Sequence, residues 1–263
     1  MYFSPTATTK TIIETIGKRL VKKNGIDQGI TVDFTLPKQR ENGPTFNSND
    51  VLLIGVPVYA GRVPHILLNY LNTIKGNNTL SIPVVLYGNR AYEDALLELN
   101  DILVENGFSV IASGAFIGEH SYSDTLAKDR PDNTDLSIAK QFADSVYKKI
   151  ENSARKKPII KGNKPYRAYS SSKIDKKREK DRMQVEPKTD ENCIDCKICA
   201  EACPVGCIDY NDVTKITGTC IICGACVKLC PTSSKYFDHP DYIHLKLALE
   251  KQYIDRKEPE LFV

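Results

Sequence analysis

The chain has 263 residues, 41% hydrophobic and 26% charged, with a formal net charge of +3. That length fits one large domain or two ordinary ones, and the composition excludes a wholly disordered chain. No run of about 18 apolar residues occurs, which predicts no membrane span, and Met1–Lys10 lacks the basic and apolar blocks of a secretory signal, so a soluble, cytoplasmic protein is expected.

Residues 1–150 alternate short apolar runs with helical spacing. Met1-Tyr2-Phe3 is a brief apolar start, and Thr11–Lys22 reads as a helix. Thr31–Leu36 alternates like an edge strand. Val51–Val56 is continuously apolar, as a buried strand is. Ile66–Ile74 has helical spacing, Pro83–Tyr87 is a second buried strand, and Tyr92–Asn106 is a helix that Gly107 ends. Glu93 and Asp94 fall in its first turn, where the helix dipole favours negative charge. Val110–Phe116 is a further strand, and Asp135–Ile150 a last amphipathic helix. This alternation predicts an α/β fold, a doubly wound parallel sheet with helices on both faces.

Residues 151–187 are dominated by Lys, Arg, Ser and Pro. Residues 148–188 carry 15 Lys or Arg against 5 Asp or Glu, leaving 21 basic and 28 acidic residues elsewhere. The segment reads as a solvated basic linker between acidic parts. Arg155-Lys156-Lys157 and Lys176-Lys177-Arg178 are an alternative docking site for an acidic partner.

Residues 188–240 contain an internal repeat. Cys193-x2-Cys196-x2-Cys199-x3-Cys203-Pro204 recurs 27 positions later as Cys220-x2-Cys223-x2-Cys226-x3-Cys230-Pro231. Soft thiolates select iron–sulfur clusters or zinc. Zinc sites usually use separate C-x2-C pairs, and a disulfide framework needs an oxidising compartment. Three thiolates on one tight loop can face one cubane, while the fourth cysteine opens a helix and points to the other. The pattern therefore predicts two [4Fe–4S] clusters. Cys193, Cys196, Cys199 and Cys230 hold the first, and Cys220, Cys223, Cys226 and Cys203 the second. Cys207, the ninth cysteine, reads as a small buried hydrophobe. Ile208–Val213 suits a strand–turn–strand. The tail, 241–263, has helical spacing at Ile243, Leu247 and Ile254. The cysteine segment resembles bacterial two-cluster ferredoxins throughout, prolines included.

Three segments in the first 150 residues lie where open α/β sheets bind ligands, at strand ends that lead into helices. Ser4-Pro5-Thr6-Ala7-Thr8-Thr9 offers hydroxyls and backbone amides at a helix N-terminus, an anion site. It resembles the phosphate loop of flavodoxins, S/T-x-T-G-x-T, with Ser4, Thr6 and Thr9 matching, Ala7 in place of glycine, and Pro5 lacking an amide donor. Pro57-Val58-Tyr59-Ala60-Gly61-Arg62 and Tyr87-Gly88-Asn89-Arg90-Ala91-Tyr92 match that family's second and third flavin loops in place. The resemblance implies FMN rather than NAD or FAD, since no G-x-G-x-x-G occurs. It implies Tyr59 stacking on the isoalloxazine and Gly61 allowing close backbone approach. Arg62 would reach the ring carbonyls, and Tyr92 would be the second aromatic. Phe116-Ile-Gly-Glu-His120 adds His120 at the same rim. Two departures stand out: only three residues precede Ser4, and the chain has no Trp.

The whole chain looks like the flavodoxin–ferredoxin fusion family. That resemblance covers a flavodoxin-like five-stranded FMN domain (1–150) and a small α+β ferredoxin-like domain (188–240), but not the basic linker (151–187) or the tail (241–263), which is expected to be helical. It implies a one-to-two-electron redox carrier passing electrons between low-potential clusters and FMN. The alternative is an FMN-dependent reductase of a quinone or nitro compound fed by its own ferredoxin domain. Redox proteins are the expected partners, and the linker should let the clusters approach the flavin face in the same chain or in a homodimer mate. Eight thiolates on two cubanes and an FMN phosphate would make the loaded chain slightly acidic, which argues against nucleic acid. Exposed clusters are oxygen-sensitive, which points to an anaerobe. No G-x-S-x-G elbow, Walker loop or paired-carboxylate motif suggests hydrolysis.

Overall fold

The computed structural model of the chain describes residues 1–153, 156–169 and 185–263. Strand β1 (Val51–Pro57) pairs in parallel with β2 (Thr79–Tyr87), and β2 pairs in parallel with both β3 (Phe108–Val110) and β4 (Ser113–Ile117). On the other side of β1, Met1–Phe3 completes the ladder. Tyr2 bridges Gly55 and Asp33, and the Phe3 N–H donates to the Gly55 carbonyl at 3.0 Å. The short start is therefore an inner ribbon, with residues 32–34 outside it. The expected edge strand over Thr31–Leu36 shrinks to that bridge, and the single expected strand Val110–Phe116 divides into β3 and β4.

Side-chain alternation sets the two layers. Leu52, Ile54, Val56, Val85 and Tyr87 face one core with Leu96, Leu99 and Leu103 of helix α3 (Ala95–Glu105). Leu80, Ile82, Val84 and Phe116 face the other, with Ile12, Ile13 and Ile16 of α1 (Thr8–Lys23) and Phe142 and Val146 of α4 (Asn133–Glu151). Fully burying each of these apolar side chains stabilises the fold by roughly 1.5–3 kcal/mol. Asp132 caps α4 by accepting from the Thr134 and Asp135 N–H groups. The expected helix over Ile66–Ile74 is only a 3-10 turn, His65–Leu67, followed by α2 (Leu68–Leu71).

Two departures matter for function. The first half of the linker is not a free tether. Within residues 156–169, the Asn163 and Arg167 N–H groups donate to Asp94 Oδ1 and Oδ2 at 2.8 and 2.6 Å. Tyr166 donates to Asp101, and Tyr169 to the Val63 carbonyl and Glu98. The segment is a strap across α3 and the β1–α2 turn. The basic runs Arg155–Lys157 and Lys176–Arg178 lie partly and wholly outside the described residues. The tail, in turn, forms more than its expected helix. After α7 (Pro240–Gln252) the chain returns to the sheet, and β7 (Glu260–Phe262) pairs antiparallel with β4.

The cysteine segment carries a two-stranded ribbon of β5 (Lys188–Thr189) and β6 (Lys235–Tyr236), and two short helices, α5 (Ile198–Glu201) and α6 (Ala225–Lys228). The expected strand pair at 208–213 reduces to one bridge, Ile208 to Ile216.

Candidate functional site

The two cysteine repeats fold alike. In the first, Asp195 and Lys197 flank Cys196 with φ of 53° and 64°; in the second, Ile222 and Gly224 flank Cys223 with φ of 54° and 75°. These paired left-handed residues curl each loop, and the third cysteine then enters a short helix. None of the nine cysteines is in a disulfide. Backbone N–H groups donate to three sulfurs: Cys207 to Cys203 Sγ (3.3 Å), Ile222 to Cys220 Sγ (3.3 Å) and Ser234 to Cys230 Sγ (3.2 Å). Such bonds favour a charged sulfur and tune a cluster's potential. Among the described residues no three His, Cys, Asp or Glu side chains converge on a point fit for one ion. Eight thiolates divided over two loops instead suit clusters that take one thiolate per iron, so the donor set fits. Cys207 is buried with Ile208 and Val213 as expected, and its sulfur lies 3.5 Å from Cys203 Sγ.

The sequence does not single out Lys235. It is 2% exposed, its Nζ donates to the Val213 carbonyl, and its charge acts on both Cys199 and Cys226. One ammonium thus offsets negative charge in both repeats. Its lysine spacing carries no signal that separates it from the surface lysines around it.

The phosphate-type loop sits at the start of α1. Ala7 adopts φ 65° and supplies no side-chain cap, so the first amides of the helix, at Thr8 and Thr9, lack intrahelical acceptors. Ser4 Oγ accepts from the Lys10 N–H at 2.9 Å. Ser4, Thr6 and Thr8 are half-buried at the rim, whereas Thr9 is buried and packs against Gly55. An uncapped helix start ringed by hydroxyls fits a phosphate.

The second loop is a tight turn. Tyr59 and Arg62 exchange backbone hydrogen bonds at 3.0 Å, with φ of 51° at Ala60 and 81° at Gly61. Pro57, Val58 and Tyr59 are half-buried and Ala60 is exposed. Burial first, then Cys223, Tyr122 and Cys220, push the Tyr59 hydroxyl well above the ordinary tyrosine range. Tyr59 therefore lies between the flavodoxin-type loops and the second cysteine repeat.

Arg62 does not face the loops as expected. Its guanidinium makes a bidentate pair with Glu98, at 2.8 Å (Nε–Oε2) and 2.7 Å (Nη2–Oε1), and stands 4.2 Å from the Tyr169 ring and 4.9 Å from the Tyr166 ring. The Glu98 hydrogen bonds, against the opposing effect of burial, raise its pKa above the usual arginine value. The strap has claimed this side chain. Tyr92 is likewise turned inward: its hydroxyl donates to Glu260 of β7 at 3.0 Å and its ring packs 5.6 Å from Tyr87.

In the third loop, Asn89 is buried and donates to the Tyr253 and Asp255 carbonyls at 2.7 and 2.8 Å. Its Oδ1, and Glu93 Oε2 beside Gly61, are buried acceptors without a donor among the described residues. An isoalloxazine ring carries one N–H on its pyrimidine edge, and Glu93, which lines the adjoining cavity, fits it. Tyr87, Ala91, Tyr92, Glu93 and Lys257 line a cavity of about 530 Å³ beside this loop. His120 packs against Gly88 and accepts from the Tyr122 N–H through Nδ1 at 3.1 Å, which places its proton on Nε2. Burial, helped by the charges of Arg90 and Lys228, lowers its pKa to about 4, so it is neutral at pH 7.

The cysteine segment is docked on this rim. Lys228 Nζ donates to Glu119 Oε1 (2.7 Å), the Ser123 carbonyl (2.6 Å) and Asp124 Oδ1 (2.9 Å). Arg40 donates to the Pro204 carbonyl at 2.6 Å. None of these contacts had a signature in the sequence.

Comparison with known proteins agrees with the cysteine reading. Residues 187–209 match the family model for a 4Fe-4S binding domain, which includes Cys193, Cys196, Cys199 and Cys203. No curated protein matches the chain. Among solved structures, it is similar to a flavodoxin of Streptococcus pneumonia TIGR4, at 15% identity over 56% of this chain and 95% of that one, with a TM-score of 0.39. It is also similar to the rubredoxin oxygen:oxidoreductase of Desulfovibrio gigas, at 12% identity and a TM-score of 0.39, over 56% of this chain and 34% of that one. Among the described residues no helix is long and apolar enough to cross a membrane. The chain therefore joins an open α/β domain to a segment built to hold at least one [4Fe–4S] cluster.

Proposed function

We propose that the chain is an iron–sulfur flavoprotein that carries electrons between two [4Fe–4S] clusters and FMN. Clusters exchange single electrons, and a bound flavin would supply storage of two. The observation that carries this reading is the docking of the second cysteine repeat on the strand-end rim, with Lys228 locked to Glu119, Ser123 and Asp124. A carrier of this kind needs its centres held close, and a rigid contact does that without a mobile tether.

The chain's residues have separable tasks. Ser4, Thr6 and Thr8, with the first amides of α1, bind the phosphate. Glu93 accepts from the ring edge, next to the loop of Asn89. Tyr59 covers the ring on the side of the cysteines and excludes water there. His120, neutral with its proton on Nε2, is a donor at the same rim. Cys193, Cys196, Cys199 and Cys230 hold one cluster, and Cys220, Cys223, Cys226 and Cys203 the other. Arg62 serves the fold by fixing the strap.

Anaerobic purification with iron, sulfide and FMN quantified tests this directly. The expected content is about eight irons and one FMN per chain. Clusters without FMN, even after FMN is added, would leave an iron–sulfur protein whose α/β domain has another purpose.

A further inference from the structure

The two repeats are related by a shift of 27 residues, so their outward positions can be compared one by one. Gly224 corresponds to Lys197, Lys228 to Glu201, Ile222 to Asp195, and Cys223 to Cys196. Every one of these differences falls where the second repeat touches the α/β domain. Gly224 has φ 75° and lies so near Ser121 that a Cβ there would stand 2.6 Å from the Ser121 carbonyl oxygen. Lys228 reaches Glu119, Ser123 and Asp124. Ile222 packs in one cluster with Val185, Phe237, Tyr242 and, at its edge, Tyr122 and Cys220. The matching residues of the first repeat contact their own loop: Lys197 pairs with Asp195 at 2.7 Å and also reaches the Asn211 carbonyl. Cys223 is buried, and Cys196 is exposed.

From this asymmetry we infer that the two cysteine sites have fixed, different places in the electron path. The site of Cys220, Cys223, Cys226 and Cys203 is the one coupled to the loops around Tyr59 and Tyr122. The site of Cys193, Cys196, Cys199 and Cys230 is the intake that faces outside donors. This rests on the reading that the chain binds FMN and two clusters. Pro204, next to the second site's Cys203, is also held to the α/β domain, by Arg40, so both sequence segments of that site are anchored there. In the forward direction, a one-electron reductant outside the chain is oxidised at the intake. The electron passes to the anchored site and then to the flavin. Two such passes, with protons taken from water, balance one two-electron reduction.

The test uses the full chain loaded with clusters and FMN, mixed anaerobically with dithionite, with bleaching of clusters and flavin followed separately. Cys223→Ser should leave reduction of the surviving cluster at its wild-type rate and slow flavin reduction about tenfold or more. Cys196→Ser should slow the surviving cluster and the flavin together, since the intake precedes both. If Cys223→Ser fails to fold, Gly224→Lys replaces it, since it keeps all eight thiolates while prying the second repeat from Ser121; it should uncouple flavin from cluster bleaching in the same way. Flavin that keeps pace with the surviving cluster in Cys223→Ser, or that lags behind it in Cys196→Ser, overturns the assignment while the FMN reading stands. Chains that hold both clusters and no FMN overturn the FMN reading and this inference with it.

Discussion

The two cysteine repeats share spacing, backbone twist and helix position, yet the tip of one, around Cys223, is buried against the neighbour domain and the tip of the other, around Cys196, is exposed. Six of the seven residues between the thiolates differ, and three of them make the contact: glycine against Lys197, lysine against Glu201, and isoleucine against Asp195. Ligand spacing sets what a loop can hold. The residues between the ligands set what the loop can touch. A sequence reader looking for metal sites sees two equal copies; a reader asking which copy has lost its charges and its side chain at the tip would see which is buried.

That comparison can be broken most severely at Gly224. A lysine there meets both the left-handed backbone and the Ser121 carbonyl. Strain and overpacking together should cost about 3 kcal/mol of the docking contact. Hydrogen exchange over residues 119–124 should rise, while iron content holds. Unchanged protection in Gly224→Lys would mean the contact is incidental.

His120 lies beneath the same contact and gives it a pH signature. Its folded pKa of about 4 is below the ordinary 6.5, so between those values the unfolded chain binds the proton that the folded chain refuses. Stability therefore falls as pH drops from 6.5 to 4, by about 3 kcal/mol in total from this group. Urea midpoints at pH 7 and pH 5 should differ less in His120→Asn than in wild type. An equal difference in both would remove His120 from this role.

Lys228 is the next smaller lever. Burial works against its charge, but Glu119 and Asp124 outweigh it and raise its pKa. Its contribution is complete below the ordinary lysine value and is lost only as pH rises through the raised one, so docking should persist across neutral pH. Lys228→Met should cost about 2 kcal/mol, the range for hydrogen bonds to charged groups. The smallest effect belongs to the first repeat. Lys197 and Glu201 bond within the cysteine segment, to Asp195, Asn211 and Tyr210, and Lys197→Gly or Glu201→Lys should shift the stability by no more than about 0.5 kcal/mol. A large shift there would mean the repeats are less divided than their contacts imply.

Much of this was legible in the sequence for physical reasons. The apolar runs at 51–56 and 83–87 are too continuous for anything but buried parallel strands, and both lie within observed ones. The cysteine spacing is equally local. What stayed hidden was non-local pairing. Arg62 sits in a loop that matches a flavin loop in place, but its partner Glu98 lies 36 residues on, and Tyr166 and Tyr169, which enclose it, lie in a segment whose composition reads as linker. Tyr92 sits at a position that matches a flavin loop, but its acceptor, Glu260, lies 168 residues away. The strand Glu260–Phe262 is only three residues long and exists because β4 offers it an open edge. Short elements stabilised by distant partners have no periodicity to read.

The measurement closest to the central claim is an anaerobic reductive titration of the loaded chain that counts electrons. The account predicts uptake of about four electron equivalents per chain, one for each cluster and two for the flavin, with all centres exchanging within the same molecule. Uptake of about two, with added FMN behaving as it does free in solution, would contradict it.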